Sequence, residues 1–215
     1  MNFARFVATS RLILVGHVFN WHFFDRVARR RVRTDATARI VSNYFKRYLP
    51  AVKSVPEVDV VHDDANDKIW TLWLQGEDKA PALVKACFRS VRRHCKQELI
   101  VLDAETVFDY ISLPSEIVQK YRDGKIGHAH FADICRVELL YRYGGYWLDS
   151  TGFVTASIPD WIEKEDYFMY LTGDNYNIGG SPYSFCQNCF IRSRKGAFLL
   201  AAWRAMILDY WMHEN

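Results

Sequence analysis

No run of residues in this chain is long and apolar enough to read as a bilayer-spanning helix. The nearest candidate, Leu12 to Phe24, falls short of the ~20 residues a span requires and is interrupted by His17, Asn20, Trp21 and His22. No small-residue cleavage site follows it, which argues against a signal peptide. The five cysteines are an odd number, and without an export signal they are expected as reduced thiols in the cytoplasm. Cys186 and Cys189 form one C-x-x-C, but a structural zinc needs a second pair and the sequence has none. A GxxxxGK[ST] phosphate loop, a GxGxxG dinucleotide fingerprint and a GxSxG nucleophile elbow are also missing. There is no internal repeat and no low-complexity linker.

What remains is the composition of a folded protein, half hydrophobic and a quarter charged. A chain of 215 residues suffices for one domain with a sizeable core, or one domain with an appendage. The charge is uneven. Residues 1–50 hold ten Lys or Arg against Asp25 and Asp35, a surplus of eight, so the net charge of +3 leaves −5 for the rest. The larger part therefore has no basic excess that would suit a nucleic-acid partner, and none is expected. At the head, the apolar run is followed by the Arg26–Arg33 cluster. Two readings stand: a segment lying on an anionic membrane surface, on its inner face, or an exposed helix packed on the domain. Residues 1–65 are assigned to a basic helical N-terminal extension, with a short helix near Ala38–Tyr48 ending at Pro50, and 66–215 to the main domain.

From Lys68 onward, strand-length apolar runs alternate with helical periodicity. Ile69–Leu74 (IWTLWL) reads as a buried strand. Pro81 opens a helix with Leu83, Val84, Ala86, Cys87, Val91 and Cys95 on its apolar face. Leu99–Leu102 is the second strand, and helical pieces follow near Ala104–Ile111 and Pro114–Tyr121. Residues 128–143 (HAHFADICRVELLYRY) form the longest periodic helix, ended by Gly144-Gly145. Tyr146–Leu148 is a short strand with Asp149 at its end, and a last helix is expected over Gly196–Tyr210. The turn-rich stretches Gly173–Asn175 and Gly179–Pro182 read as a loop near the active edge or an ordinary surface loop. Alternation of this kind indicates an α/β fold with a mostly parallel sheet and flanking helices.

That topology brings polar groups together. A helix leading into a parallel strand starts at the edge where the strands end, which is where open α/β sheets bind ligands. Asp133 and Arg136, three apart, share a face of the 128–143 helix, and Asp149 closes the next strand at the same edge. Carboxylates accept hydrogen bonds from sugar hydroxyls or hold a hard cation such as Mn²⁺ or Mg²⁺. An arginine forks onto two oxygens and keeps its charge, and Trp70 offers a flat face for a base. Taken singly, each has a plainer reading: a surface ion pair, a turn cap, a core tryptophan. The same Asp149 also suits an aspartate-based phosphatase, but that chemistry wants a second carboxylate two residues on, where Thr151 stands.

The blocks IWTLWLQGEDKAPALVKACFRSVRRH (69–94) and AHFADICRVELLYRYGGYWLDST (129–151) resemble the capsular polysaccharide synthesis glycosyltransferases, which are similar to glycosyltransferase family 32. The likeness runs over roughly residues 66–212. It implies a GT-A-like (Rossmann-like) domain, a nucleotide-sugar donor (a UDP-sugar first), a glycan acceptor, a divalent metal and, for the family-32 relatives, retention of anomeric configuration. It assigns base stacking to Trp70, ribose and sugar contacts to Asp133 and Arg136, the metal to Asp149 and a sugar contact to Asn188 in CQNCFI (186–191). The chain departs from the family's Asp-x-Asp at Thr151, and the family continues past the equivalent of Asn215. The alternative expectation is therefore a truncated or inactive member acting by binding.

Overall fold

Five apolar runs assemble into one sheet, and the helices between them cover both of its faces. The computed structural model describes residues 36, 39–56, 68–171 and 186–214. The strands are β1 (Lys68–Leu72), β2 (Glu98–Leu102), β3 (Gly145–Leu148), β4 (Tyr167–Leu171) and β5 (Cys186–Ser193), in the spatial order β2-β1-β3-β5-β4. β1 pairs in parallel with β2 and β3, while β5 runs antiparallel between β3 and β4. After a helical stretch at residues 39–45, the helices are α1 (Leu49–Lys53), α2 (Ala82–His94), α3 (Ser115–Arg122), α4 (His128–Tyr143), α5 (Asp160–Glu163) and α6 (Phe198–His213). The mostly parallel sheet with flanking helices is the architecture expected from the alternation.

Side chains alternate across a strand, so each strand feeds two cores. Trp70, Leu72, Trp147 and Ile191 pack with Ile134, Leu139 and Leu140 of α4 and Leu200 of α6. Ile69, Tyr146 and Phe190 point the other way, against Val91 of α2 and Ile162 of α5. α4 is buried almost all round, because the sheet lies on one side and α6 on the other. Two of its charges are buried in consequence, Arg136 towards the sheet edge and Glu138 towards α6, where Arg142 and Arg204 neutralise it.

The turn after α4 needs glycine. Gly144 has φ +68°, and a Cβ there would meet the backbone nitrogen of Lys195 at 2.6 Å. Its carbonyl accepts the Trp70 indole N–H at 2.9 Å, tying the turn to β1.

Two sequence expectations change. Pro50 does not end the N-terminal helix; residues 39–45 are helical, a 3-10 turn covers Lys46–Tyr48, and Pro50 lies in the first turn of α1. A proline there gives up an N–H that has no intrahelical acceptor in any case. Near Ala104–Ile111 only the 3-10 turn Thr106–Asp109 forms. The Leu12–Phe24 run, the Arg26–Arg33 cluster, the domain boundary near residue 65 and the loop around Gly173–Pro182 lie outside the described residues. Among the described residues no helix is long and apolar enough to cross a membrane.

Candidate active site

α4 begins at the edge where β1, β2 and β3 end, and its N-terminal half presents Asp133 and Arg136 to that edge. β3 ends one residue before Asp149, whose N–H donates to the Cys189 carbonyl of β5 at 2.8 Å. Helix and strand tip meet through Arg136. Its Nη1 donates to Asp133 Oδ1 at 2.6 Å and its Nη2 to Asp149 Oδ1 at 2.8 Å. The guanidinium is 5% exposed, whereas the carboxylates it joins are 30% and 35% exposed. A buried guanidinium is tolerable only with such partners. The three residues that topology was expected to gather are thus in direct contact.

Two further side chains complete the cluster. Trp147 Nε1 donates to Asp149 Oδ1 at 2.7 Å, and Arg136 Cζ lies 4.9 Å from the Trp147 ring centre, within cation–π range. The sequence reading passed over Trp147 because a strand-interior tryptophan reads as core; its position two residues before Asp149, hence on the same face, was the available signal. Asn188 Nδ2 donates to Asp133 Oδ1 at 3.2 Å. Strand alternation alone would place Asn188 on the face of Phe190, away from α4. A bulge intervenes: Met169 pairs with Ile191 but Tyr170 pairs with Gln187, leaving three β5 residues without partners on β4. An irregularity of this type re-aims a side chain.

Trp70 is a correction. Its ring is 1% exposed and packs against Tyr110 and Tyr143 in the core, with its N–H spent on Gly144. It presents no open face to a base. Trp73, just beyond β1, is half-buried against Ala80, Val84 and Phe88, and its Nε1 is buried with no partner among the described residues.

The carboxylates offer hard oxygens to a cation. Among the described residues, the hydrogen bonds of Asp133 and Asp149 all fall on Oδ1, leaving Oδ2 of each for another ligand. Among the same residues there is no group of three His, Cys, Asp or Glu able to hold a metal. An ion held by these two oxygens would have to keep water or take substrate oxygens for the rest of its shell, as Mg²⁺ and Mn²⁺ do. All five cysteines are free thiols.

Two open spaces are found among the described residues. A polar cleft of about 620 Å³ lies at the ends of β1 and β2, lined by Gln75, Gly76, Asp103, Thr106 and Tyr110 among others. The Asp103 carboxyl is held below its usual range, first by the Thr106 backbone N–H and then by that of Glu105, so it stays ionised as an acceptor. A second, apolar pocket of about 380 Å³ lies between α4, α6 and the N-terminal segment.

The sequence matches the capsular polysaccharide synthesis protein family over residues 20–215. The chain belongs to that family. Among curated proteins it is similar to glycosyltransferase afumC of Aspergillus fumigatus, 28% identical over 164 residues, covering 70% of this chain and 42% of that protein. It is also similar to the O-glycosyltransferase PaGT of Phomopsis amygdali, 27% identical over 164 residues, covering 69% of this chain and 39% of the relative. The chain thus spans about two fifths of the length of these relatives.

Proposed function

We propose that this family member binds a nucleotide-sugar, a UDP-sugar first, and transfers its sugar to an acceptor hydroxyl in the synthesis of a cell-surface glycan. The observation that carries this reading is the Arg136 guanidinium joining Asp133 and Asp149 at the carboxyl edge of a parallel sheet, an edge that also carries a polar cleft at the ends of β1 and β2. Open α/β sheets bind nucleotides at that edge. The names of the similar fungal proteins support the same reaction class.

In this reading the polar cleft takes the nucleoside, with Asp103 accepting from ribose hydroxyls. Trp73, the indole with surface still open at the end of β1, takes the stacking role in place of Trp70. Asp133 accepts from sugar hydroxyls, and Asn188 both orients Asp133 and lies beside that sugar. Arg136, nearly buried and with both terminal nitrogens engaged, orients the two carboxylates rather than reaching the donor itself. Mn²⁺ or Mg²⁺ held by Asp149 would neutralise charge on the leaving diphosphate. Retention of anomeric configuration is proposed by likeness to glycosyltransferase family 32. The basic N-terminal segment is proposed to hold the protein on the cytoplasmic face of the membrane.

The test is release of nucleoside diphosphate from a panel of nucleotide-sugars, with and without Mn²⁺. Asn is the right replacement, because its amide oxygen can still accept from the buried Arg136, whereas Ala would leave that nitrogen unbonded. Asp133→Asn and Asp149→Asn are each expected to lower turnover by about 100-fold or more, with melting temperatures close to wild type. Wild-type rates in either variant overturn the assignment. Nucleotide binding without turnover by the unmodified chain would instead favour the binding-only alternative.

A further inference from the structure

The apolar pocket beside the carboxylates has no role in the reading above, yet it is built at the same edge of the molecule. α6 runs antiparallel to α4: Gly196, just before α6, bonds to Tyr141 near the end of α4, while Trp211 near the end of α6 meets His130 near the start of α4. The C-terminal half of α6 therefore lies beside the first turns of α4, where Asp133 and Arg136 are. The pocket is lined there by Trp203, Met206, Ile207, Tyr210 and Trp211, and closed on its outer side by Phe45 of the N-terminal segment. Phe45 and Tyr210 hold that side together, their ring centres 5.5 Å apart.

His130 connects the pocket to the polar cluster. Its ring centre lies 5.6 Å from that of Trp211, and its Nδ1 is 3.9 Å from Asp133 Oδ2. One side chain thus forms part of the pocket wall and borders the carboxylate that the donor sugar would meet. Aromatic and aliphatic walls with one polar group at the mouth are the usual make-up of a small-molecule site. An apolar cavity of about 150 Å³ holds one benzene, so 380 Å³ leaves room for a body of two or three rings.

We infer that this pocket is the acceptor site, and that the acceptor is an alcohol or phenol with a compact apolar body rather than a free hydrophilic saccharide. This rests on the sugar-transfer step of the reading above and replaces its glycan acceptor with an apolar one. The acceptor's body lies against Trp211 and Ile207, and its hydroxyl faces His130 and Asp133. In the transfer, the acceptor oxygen forms a bond to the anomeric carbon. The bond from that carbon to the diphosphate oxygen breaks, its electron pair leaves with the nucleoside diphosphate, and the hydroxyl proton ends on the released diphosphate. His130 is a positioning residue for that hydroxyl.

The test uses the full chain and 4-phenylphenol as the probe. Binding is read by quenching of tryptophan fluorescence without any donor. Transfer is read by mass spectrometry of the glycosylated probe with a nucleotide-sugar panel, and maltose serves as the hydrophilic comparison. Met206 is half-buried in the pocket wall, so Met206→Trp (filling) and Met206→Glu (charging) are compared, with thermal unfolding confirming that each folds. Saturable binding by the wild type, weakened at least tenfold in both folded variants, and transfer to the phenol in preference to maltose are the expected results. The inference is overturned if the wild type does not bind the probe, as it would not if another part of the chain filled the pocket. It is equally overturned if both variants bind like wild type, or if maltose is glycosylated and the phenol is not. Should no donor turn over with any acceptor, the sugar-transfer reading fails, and the binding arm alone decides whether the pocket takes an apolar alcohol.

Discussion

Asp149 Oδ1 accepts from both Arg136 Nη2 and Trp147 Nε1, so this carboxylate is held by two donors on different elements. That fixes its orientation without help from a ligand. Arg136 is hard to replace for a geometric reason: its fork reaches two carboxylates at once, whereas a lysine ammonium is a single point of charge. Arg136→Lys is expected to lower kcat/KM for the donor by about 100-fold, the scale on which misplacing a catalytic group costs rate. A loss of less than about threefold would mean that the bridge is not needed for turnover. Of this cluster, Asp133, Arg136 and Asp149 were readable from spacing and topology. Trp147 was not singled out, because an indole inside an apolar strand looks the same whether or not its N–H serves a neighbour.

At the scale of elements, the IWTLWL run holds two tryptophans, Trp70 within β1 and Trp73 just beyond it, and they separate by strand alternation and by depth. Trp70 is sealed against Tyr110, Tyr143 and α4, while Trp73 leaves the strand at its carboxyl end with its ring half-buried. The two substitutions should therefore fail in different ways. Trp70→Ala opens a core cavity and is expected to cost about 3–5 kcal/mol in urea unfolding. Trp73→Ala is expected to raise the donor KM about tenfold, the size of one base-stacking contact. A donor KM unchanged in folded Trp73→Ala would remove Trp73 from the donor site. The resemblance placed the base contact on Trp70, and only burial distinguishes the two rings. The β4–β5 bulge is another feature hidden from pattern reading: the irregular pairing depends on both strands together, and β4 is a short edge strand whose last two residues are exposed.

Across the whole molecule, the N-terminal segment is tied to the opposite end of the chain. Tyr44 and Tyr48 donate to Glu214 Oε1, and Arg47 lies 3.9 Å from the same oxygen. Glu214 is buried, and burial followed by the hydrogen bond to Glu214 pushes the Tyr48 phenol well above its usual range, so it remains a donor throughout physiological pH. Lys120 of α3 caps the end of α6 through the carbonyls of Trp211 and Glu214. Tyr48→Phe removes one of these buried donors and is expected to lower stability by about 1–2 kcal/mol, read as a shifted urea midpoint with an unchanged slope. An unshifted midpoint would mean that this latch adds nothing to folding. The same latch places Phe45 over the apolar pocket, so the docking of the N-terminal segment and the shape of the proposed acceptor site are one structural question.

Local pattern was enough for the α/β class, for the long helix 128–143 ended by glycine, and for the gathering of Asp133, Arg136 and Asp149 at one edge. Helical and strand periods are short-range properties, and a parallel connection has few ways to close. Which tryptophan lies in the core, how Asn188 is turned towards Asp133, and where an apolar pocket opens beside the carboxylates depended on packing between elements far apart in the chain. Burial and cavity shape belong to the volume enclosed by several elements at once, and no single segment encodes them.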